Sequence, residues 1–167
     1  TTCLAMERVL KEAGVKADIA AGLSLGEYCA IHTAGGMTAD EAIKTVRTRG
    51  ILMQDTVPAG EGAMAAVLGM EASAIEDTIR DMEGVWIANY NCPGQTVITG
   101  AAEAVEKASA ALKENGAKRV LPLNVSGPFH SPLLIPAGEK LMEALDQIQF
   151  TPLSIPYVTN VTAEPVT

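Results

Sequence analysis

Ser24 lies in Gly22-Leu23-Ser24-Leu25-Gly26, directly after the apolar run Ile19-Ala20-Ala21 and directly before a helical stretch. A serine where a strand turns sharply into a helix is a nucleophile elbow: the turn exposes the hydroxyl, and the first helical N–H groups face any anion forming beside it. Gly22 and Gly26 are expected to let strand and helix pass closely, and Glu27, in the first helical turn, complements the helix dipole. The chemistry this implies is acyl transfer through a serine ester.

A serine hydroxyl is a poor nucleophile near neutral pH and needs a base, for which histidine has the most suitable pKa. The chain has two, His32 and His130. His32 is eight residues beyond Ser24 on one helix, roughly 12 Å along the axis, too far to reach back. Elimination leaves His130, held by the loop Gly127-Pro128-Phe129-His130-Ser131, and makes His32 a surface or packing residue. Two arginines, Arg47 and Arg49, follow on the next helix. Arg47 reads as a solvated face residue, and Arg49, before Gly50 and among apolar neighbours, could clamp a substrate carboxylate by two parallel hydrogen bonds. Spacing alone barely separates them.

The elements needed to position these groups alternate between helix and strand. A helix over 3–13, with Leu4, Val9 and Leu10 inward, ends at Gly14, and a short buried strand over 18–21 leads into the elbow. Thr38 and Glu41 form a capping box for a helix reaching about residue 55, with Ala42, Ile43, Val46, Ile51 and Met53 as its apolar stripe. From Gly62 the order is strand (63–68), helix (73–82), strand (85–90), a Cys92-Pro93-Gly94-Gln95 turn, strand (96–99), helix (101–114) and strand (119–125). That β-α-β-β-α-β order is expected to form a ferredoxin-like lobe. A helix over 132–148, with Leu134, Leu141, Leu145 and Ile148 inward, and a strand over 155–161 complete the pattern. The expected fold class is α/β, divided as 1–59, 60–126 and 127–167.

With 167 residues, 48% of them hydrophobic, the chain can bury a sizeable core. Its net charge of −8 argues against nucleic acid or an anionic membrane as partner. Cys3, Cys29 and Cys92 are odd in number and widely spaced, which suits a reducing, cytoplasmic setting better than zinc or a disulfide framework. No apolar run approaches a membrane span, and no charged-then-apolar leader is expected before the first helix.

Taken together, these residues resemble the malonyl-CoA:acyl-carrier-protein transacylases of fatty-acid synthesis and the related acyltransferase domains of polyketide synthases. The resemblance is carried, in order, by residues 22–28, Arg49-Gly50 with Met53-Gln54, residues 62–67, Asn89-Tyr90-Asn91-Cys92-Pro93-Gly94-Gln95, Phe129-His130-Ser131, and Asn160-Val161-Thr162-Ala163. It implies an α/β-hydrolase-like large subdomain, incomplete in this chain, with an inserted ferredoxin-like small subdomain. Ser24 is then acylated by malonyl-CoA, His130 is base and later acid, Arg49 rather than Arg47 pairs with the malonyl carboxylate, and the Leu25 N–H is one oxyanion donor. The malonyl group passes to the phosphopantetheine thiol of acyl carrier protein, with no metal or redox cofactor. For Asn91, in the family's Asn-Pro-Gly-Gln-type turn, the resemblance implies a place lining the pocket, with packing of its own loop as the alternative. Leu23 stands where members often carry histidine, and Phe129 stands where polyketide relatives use phenylalanine for malonyl and serine for methylmalonyl units.

The resemblance covers essentially the whole chain but about the central three-fifths of a full member. The family's Gly-Gln-Gly-type segment, which supplies a second oxyanion donor, has no counterpart before Thr1, and the residue that orients the histidine falls beyond Thr167. Uncovered sheet edges are therefore expected to invite self-association, and activity of the chain by itself is open. Three other readings share parts of the pattern: a polyketide-synthase acyltransferase domain, a serine hydrolase, and a catalytically dead scaffolding piece. Asp18, Asp40 and Asp55 read as strand-end, first-turn and helix-end residues, which leaves a hydrolase without a clear acidic triad member.

Overall fold

In a computed structural model describing residues 1–167, helix α3 (Ala39–Thr56) starts on the expected capping box. The Glu41 N–H donates to Thr38 Oγ1 at 3.2 Å, while the Thr38 N–H and hydroxyl donate to Glu41 Oε2 at 2.7 and 2.6 Å. Those bonds from Thr38 hold the Glu41 carboxyl below its ordinary pKa. A carboxyl depressed in the folded state stabilises fully above its unfolded pKa, and that stabilisation is lost as pH falls through the folded value. Thr38→Ala is therefore expected to lower the melting temperature at pH 7 by roughly 2–4 °C, an ordinary N-cap loss. By calorimetry the deficit should shrink on acidification below the carboxylate range.

The chain divides into two units, Thr1–Gly50 with Leu141–Thr167, and Ile51–Lys140. In the first, β1 (Ala20–Ala21) pairs in parallel with β6 (Tyr157–Val158), which pairs antiparallel with β7 (Pro165–Val166). Helix α2 (Gly26–Thr33) packs on β1 and β6 and α1 (Thr2–Glu12) packs on α2, and Leu4, Met37 and Ala42 form a buried cluster with Tyr28, Ile31 and Ile148 packed on it. The expected stripes are only partly buried. On α1, Leu4 is buried while Val9 and Leu10 are exposed; on α3, Ala42 and Thr45 are buried while Ile43 and Ile51 are exposed.

The second unit contains β2 (Gly62–Leu68), α4 (Ala72–Ile79), β3 (Val85–Cys92), β4 (Gln95–Ala101), α5 (Ala102–Glu114) and β5 (Arg119–Pro122). The four strands form an antiparallel sheet in the order β3-β4-β2-β5. Central β4 buries Thr96 through Gly100, and Val67, Ile75, Ile98 and Leu112 are the fully enclosed aliphatics between sheet and helices. Pro93 and Gly94 turn the β3–β4 hairpin. Cys92 pairs with Gln95, and Gly94 has φ +76°, which a type II turn requires at its third position.

Several expected boundaries moved: the strand over 18–21 is only Ala20–Ala21, the helix over 73–82 ends at Ile79, and the strand over 119–125 ends at Pro122. Residues 51–59 and 127–140 group with the second unit, and buried Pro128 packs on the start of β2, where a Cβ on Gly62 would lie 2.2 Å from the proline ring. The helix expected over 132–148 is a 3-10 turn, Pro132–Leu134, followed by α6 (Ile135–Leu145). Pro136 has no N–H to give the Pro132 carbonyl, so one continuous helix cannot form there. The final strand contracts to β6, and a turn through Ala163 at φ +56° brings back β7, which the sequence reading lacked. No helix is long and apolar enough to cross a membrane. Cys3, Cys29 and Cys92 are free thiols, with burial pushing that of Cys29 up and neighbouring Cys3 adding to it.

Candidate active site

Ser24 adopts the left-handed conformation, with φ +51°, three residues beyond the end of β1 and two before the start of α2. Non-glycine residues held there cost about 1–3 kcal/mol and persist only where their surroundings over-determine them. Gly22 is one cause. A Cβ at that position would lie 2.0 Å from the Gly26 carbonyl oxygen, so any side chain would force strand and helix apart. Gly26 differs from expectation, because a Cβ there meets nothing within 4 Å; the close approach needs a glycine on the strand side only.

The turn uses its backbone donors unevenly. The Gly26 N–H donates to the Leu23 carbonyl at 2.8 Å and the Glu27 N–H to the Ser24 carbonyl at 3.1 Å. The Leu25 N–H is not spent on a backbone carbonyl. Leu23 and Leu25 are exposed, at 64% and 48%.

Arg49 and Arg47 separate clearly. Arg47 is exposed, whereas Arg49 is half-buried and its Nη2 donates to Ser24 Oγ at 3.0 Å. A guanidinium one hydrogen bond from the hydroxyl places a fixed positive charge and parallel donors beside it. Tyr28 lines the same region: burial pushes its phenol up, Arg49 pulls it down, and Glu27 raises it. His32 packs as a structural residue, its Nδ1 2.9 Å from the Met37 carbonyl and its Nε2 3.6 Å from Glu7.

The elbow has a further partner that spacing gave no reason to place there. The Asn160 side chain accepts the Ser24 N–H through Oδ1 and donates from Nδ2 to the Gly22 carbonyl, both at 2.5 Å, and its own N–H donates to Glu27 Oε1 at 3.0 Å. Residues 136 apart in sequence carry no periodicity that could announce such a contact.

His130, Phe129 and Asn91 belong to the second unit. His130 is exposed on the loop after β5 and, like Ser24, has a positive φ, +61°. Its neighbours fix that loop: the Ser131 hydroxyl donates to the Pro128 carbonyl at 2.7 Å, and the Phe129 N–H donates to the Gly127 carbonyl at 3.0 Å. Phe129 is half-buried. Asn91 is exposed and spans the hairpin, its Nδ2 donating to Gln95 Oε1 at 3.2 Å.

Residues 3–167 match the sequence pattern of the family described as "acyl transferase domain". The malonyl CoA-acyl carrier protein transacylase of Bacillus subtilis is 51% identical over 171 residues, covering 100% of this chain and 54% of that protein. That of Escherichia coli is 45% identical over 165 residues, covering 96% and 53%. Among solved structures, the Clostridium perfringens malonyl CoA-acyl carrier protein transacylase superposes with a TM-score of 0.95 at 41% identity, covering 99% of this chain and 53% of that one. A malonyl-transacylase solved in complex with its type II polyketide-synthase acyl-carrier protein gives 0.94 at 43%, covering 98% and 54%. The chain thus spans about half the length of the curated relatives it matches, rather than the expected three-fifths.

Proposed function

Because this chain belongs to the acyl transferase domain family, we propose that the protein carrying it transfers a malonyl group from malonyl-CoA to acyl carrier protein through an ester on Ser24. Arg49 carries the reading: its Nη2 sits 3.0 Å from Ser24 Oγ, so the nucleophile has a fixed cation beside it. A malonyl ester puts its carboxylate only two carbons beyond the ester carbonyl, within reach of that guanidinium. The first unit is part of an α/β-hydrolase-like subdomain, and the β-α-β-β-α-β segment is its ferredoxin-like insertion. The three free thiols support a reducing, cytoplasmic setting.

In this mechanism His130 takes the Ser24 proton as Oγ attacks the thioester carbonyl. The Leu25 N–H stabilises the oxyanion, the carbon–sulfur bond breaks, and CoA leaves with the proton returned from His130. The carrier thiol then gives its proton to His130 and attacks the serine ester, and Ser24 recovers its hydrogen as the malonyl thioester departs. Phe129 crowds an α-branched acyl group, which favours malonyl over methylmalonyl; Leu23 and Asn91 line the approach. The relative solved with a polyketide carrier supports a second reading, in which the acceptor belongs to a polyketide rather than a fatty-acid system.

The test is intact mass after mixing malonyl-CoA with the complete gene product that carries this chain, and with the 167-residue chain alone. An adduct of about 86 Da on Ser24, cleared by holo-acyl carrier protein, is expected for the complete product. Absence of the adduct there overturns the transfer reading, and its clearance by water as fast as by carrier makes the protein a hydrolase.

A further inference from the structure

Ser24 is held in the left-handed region by something stronger than a neighbouring glycine, and the pairing of β1 with β6 identifies it. Ala20 lies opposite Tyr157 and Ala21 opposite Val158. Continued two residues further, that register sets Leu23 opposite Asn160. In a parallel ladder a residue bonds the carbonyl before and the N–H after its opposite number, so the Asn160 backbone would bond the Gly22 carbonyl and the Ser24 N–H. The Asn160 side chain bonds those same two groups. A carboxamide has the donor and acceptor of a peptide unit, and here it supplies the ladder's next two rungs from the side chain. The Asn160 backbone N–H is thereby released, and it donates to Glu27 in the first turn of α2.

We infer that Asn160 is the positioning residue of the elbow, fixing the Ser24 peptide so that the hydroxyl and the Leu25 N–H are presented together. One residue thus ties the last strand position, the serine and the following helix, at Gly22, Ser24 and Glu27. With Ser24 N–H anchored, φ cannot relax to negative values without breaking a bond to the Asn160 carboxamide. This rests on Ser24 being the nucleophile, although the holding of its backbone does not.

Two readouts on the complete gene product separate those statements. The first is the rate constant for Ser24 acylation by malonyl-CoA per burst-titrated active site; the second is hydrogen exchange at the Ser24 amide. Asn160→Ala is expected to slow acylation about 10–100-fold, the scale of a small misplacement of reacting groups. Half-saturation by malonyl-CoA should stay within about twofold, because the substrate contacts are untouched, and the Ser24 amide should exchange faster. Asn160→Asp keeps the acceptor for Ser24 and loses the donor to Gly22, so it should fall between; it also serves if the alanine variant does not fold. A purely structural role would reduce the titrated sites and the melting temperature and leave the rate per site unchanged. That result, or unchanged amide exchange, overturns the inference. If the wild-type protein takes no malonyl group but loss of Asn160 still frees the Ser24 amide, the positioning stands and the nucleophile reading falls.

Discussion

Ser24→Ala and His130→Ala are each expected to lower malonyl transfer by roughly 10⁴–10⁶-fold, and the double variant to be no slower than the worse single one. The non-additivity is the informative part. A nucleophile without its base and a base without its nucleophile are equally idle, so removing the second adds nothing once the first is gone. If the two residues served separate steps, the losses would multiply. The two lie in different units of the chain, on elements with unrelated local structure, and a double-mutant cycle reads their coupling directly. Stopped-flow release of CoA measures the acylation step, and the mass of the trapped ester identifies the acylated residue. Multiplying losses, or a surviving adduct in Ser24→Ala, would overturn the shared-site mechanism.

Their local settings show what could be read from the sequence. Both have a positive φ, +51° at Ser24 and +61° at His130. For Ser24 the flanking glycines and the strand-then-helix order announce the turn, since only an absent side chain at Gly22 lets the chain pass Gly26. For His130 the sequence offers a Gly-Pro loop, which suggests a fixed backbone without specifying its conformation. The seat of that loop, Pro128 against Gly62, joins two segments whose contact has no local signature.

The helices and central strands were legible because their signals are local: the Thr38–Glu41 box, the Pro93-Gly94 turn, the unbroken apolar run of β2 and the apolar periodicity along α5. What escaped depends on long-range pairing. Asn160 replaces ladder rungs with its side chain, so in the sequence it looks like an ordinary polar residue near the end of the expected strand. β7 exists because a tight turn returns it to β6, and two residues cannot display a period. The exposed Val9, Leu10, Ile43 and Ile51 are a related case, since periodicity identifies an apolar face without saying what covers it.

Arg49→Ala is expected to change which acyl group is accepted, not merely how fast the protein works. Truncating one partner of a desolvated charge pair costs about 2–5 kcal/mol, so kcat/KM for malonyl-CoA should fall roughly 10²–10³-fold. Acetyl-CoA has no carboxylate to offer, and in the wild-type protein it would leave the half-buried guanidinium facing an apolar methyl group. Its kcat/KM should therefore hold or rise in the variant, and the malonyl-to-acetyl preference should collapse. Arg49→Lys should recover only part of the preference, because an ammonium cannot match a carboxylate with two parallel donors. Parallel assays with the two thioesters decide between two roles, because Arg49 also donates to Ser24 Oγ in the unacylated protein. Were its main task to hold the hydroxyl, both substrates would suffer alike; a loss confined to malonyl makes the same hydrogen bond the resting position of a carboxylate clamp, exchanged for the substrate when it arrives.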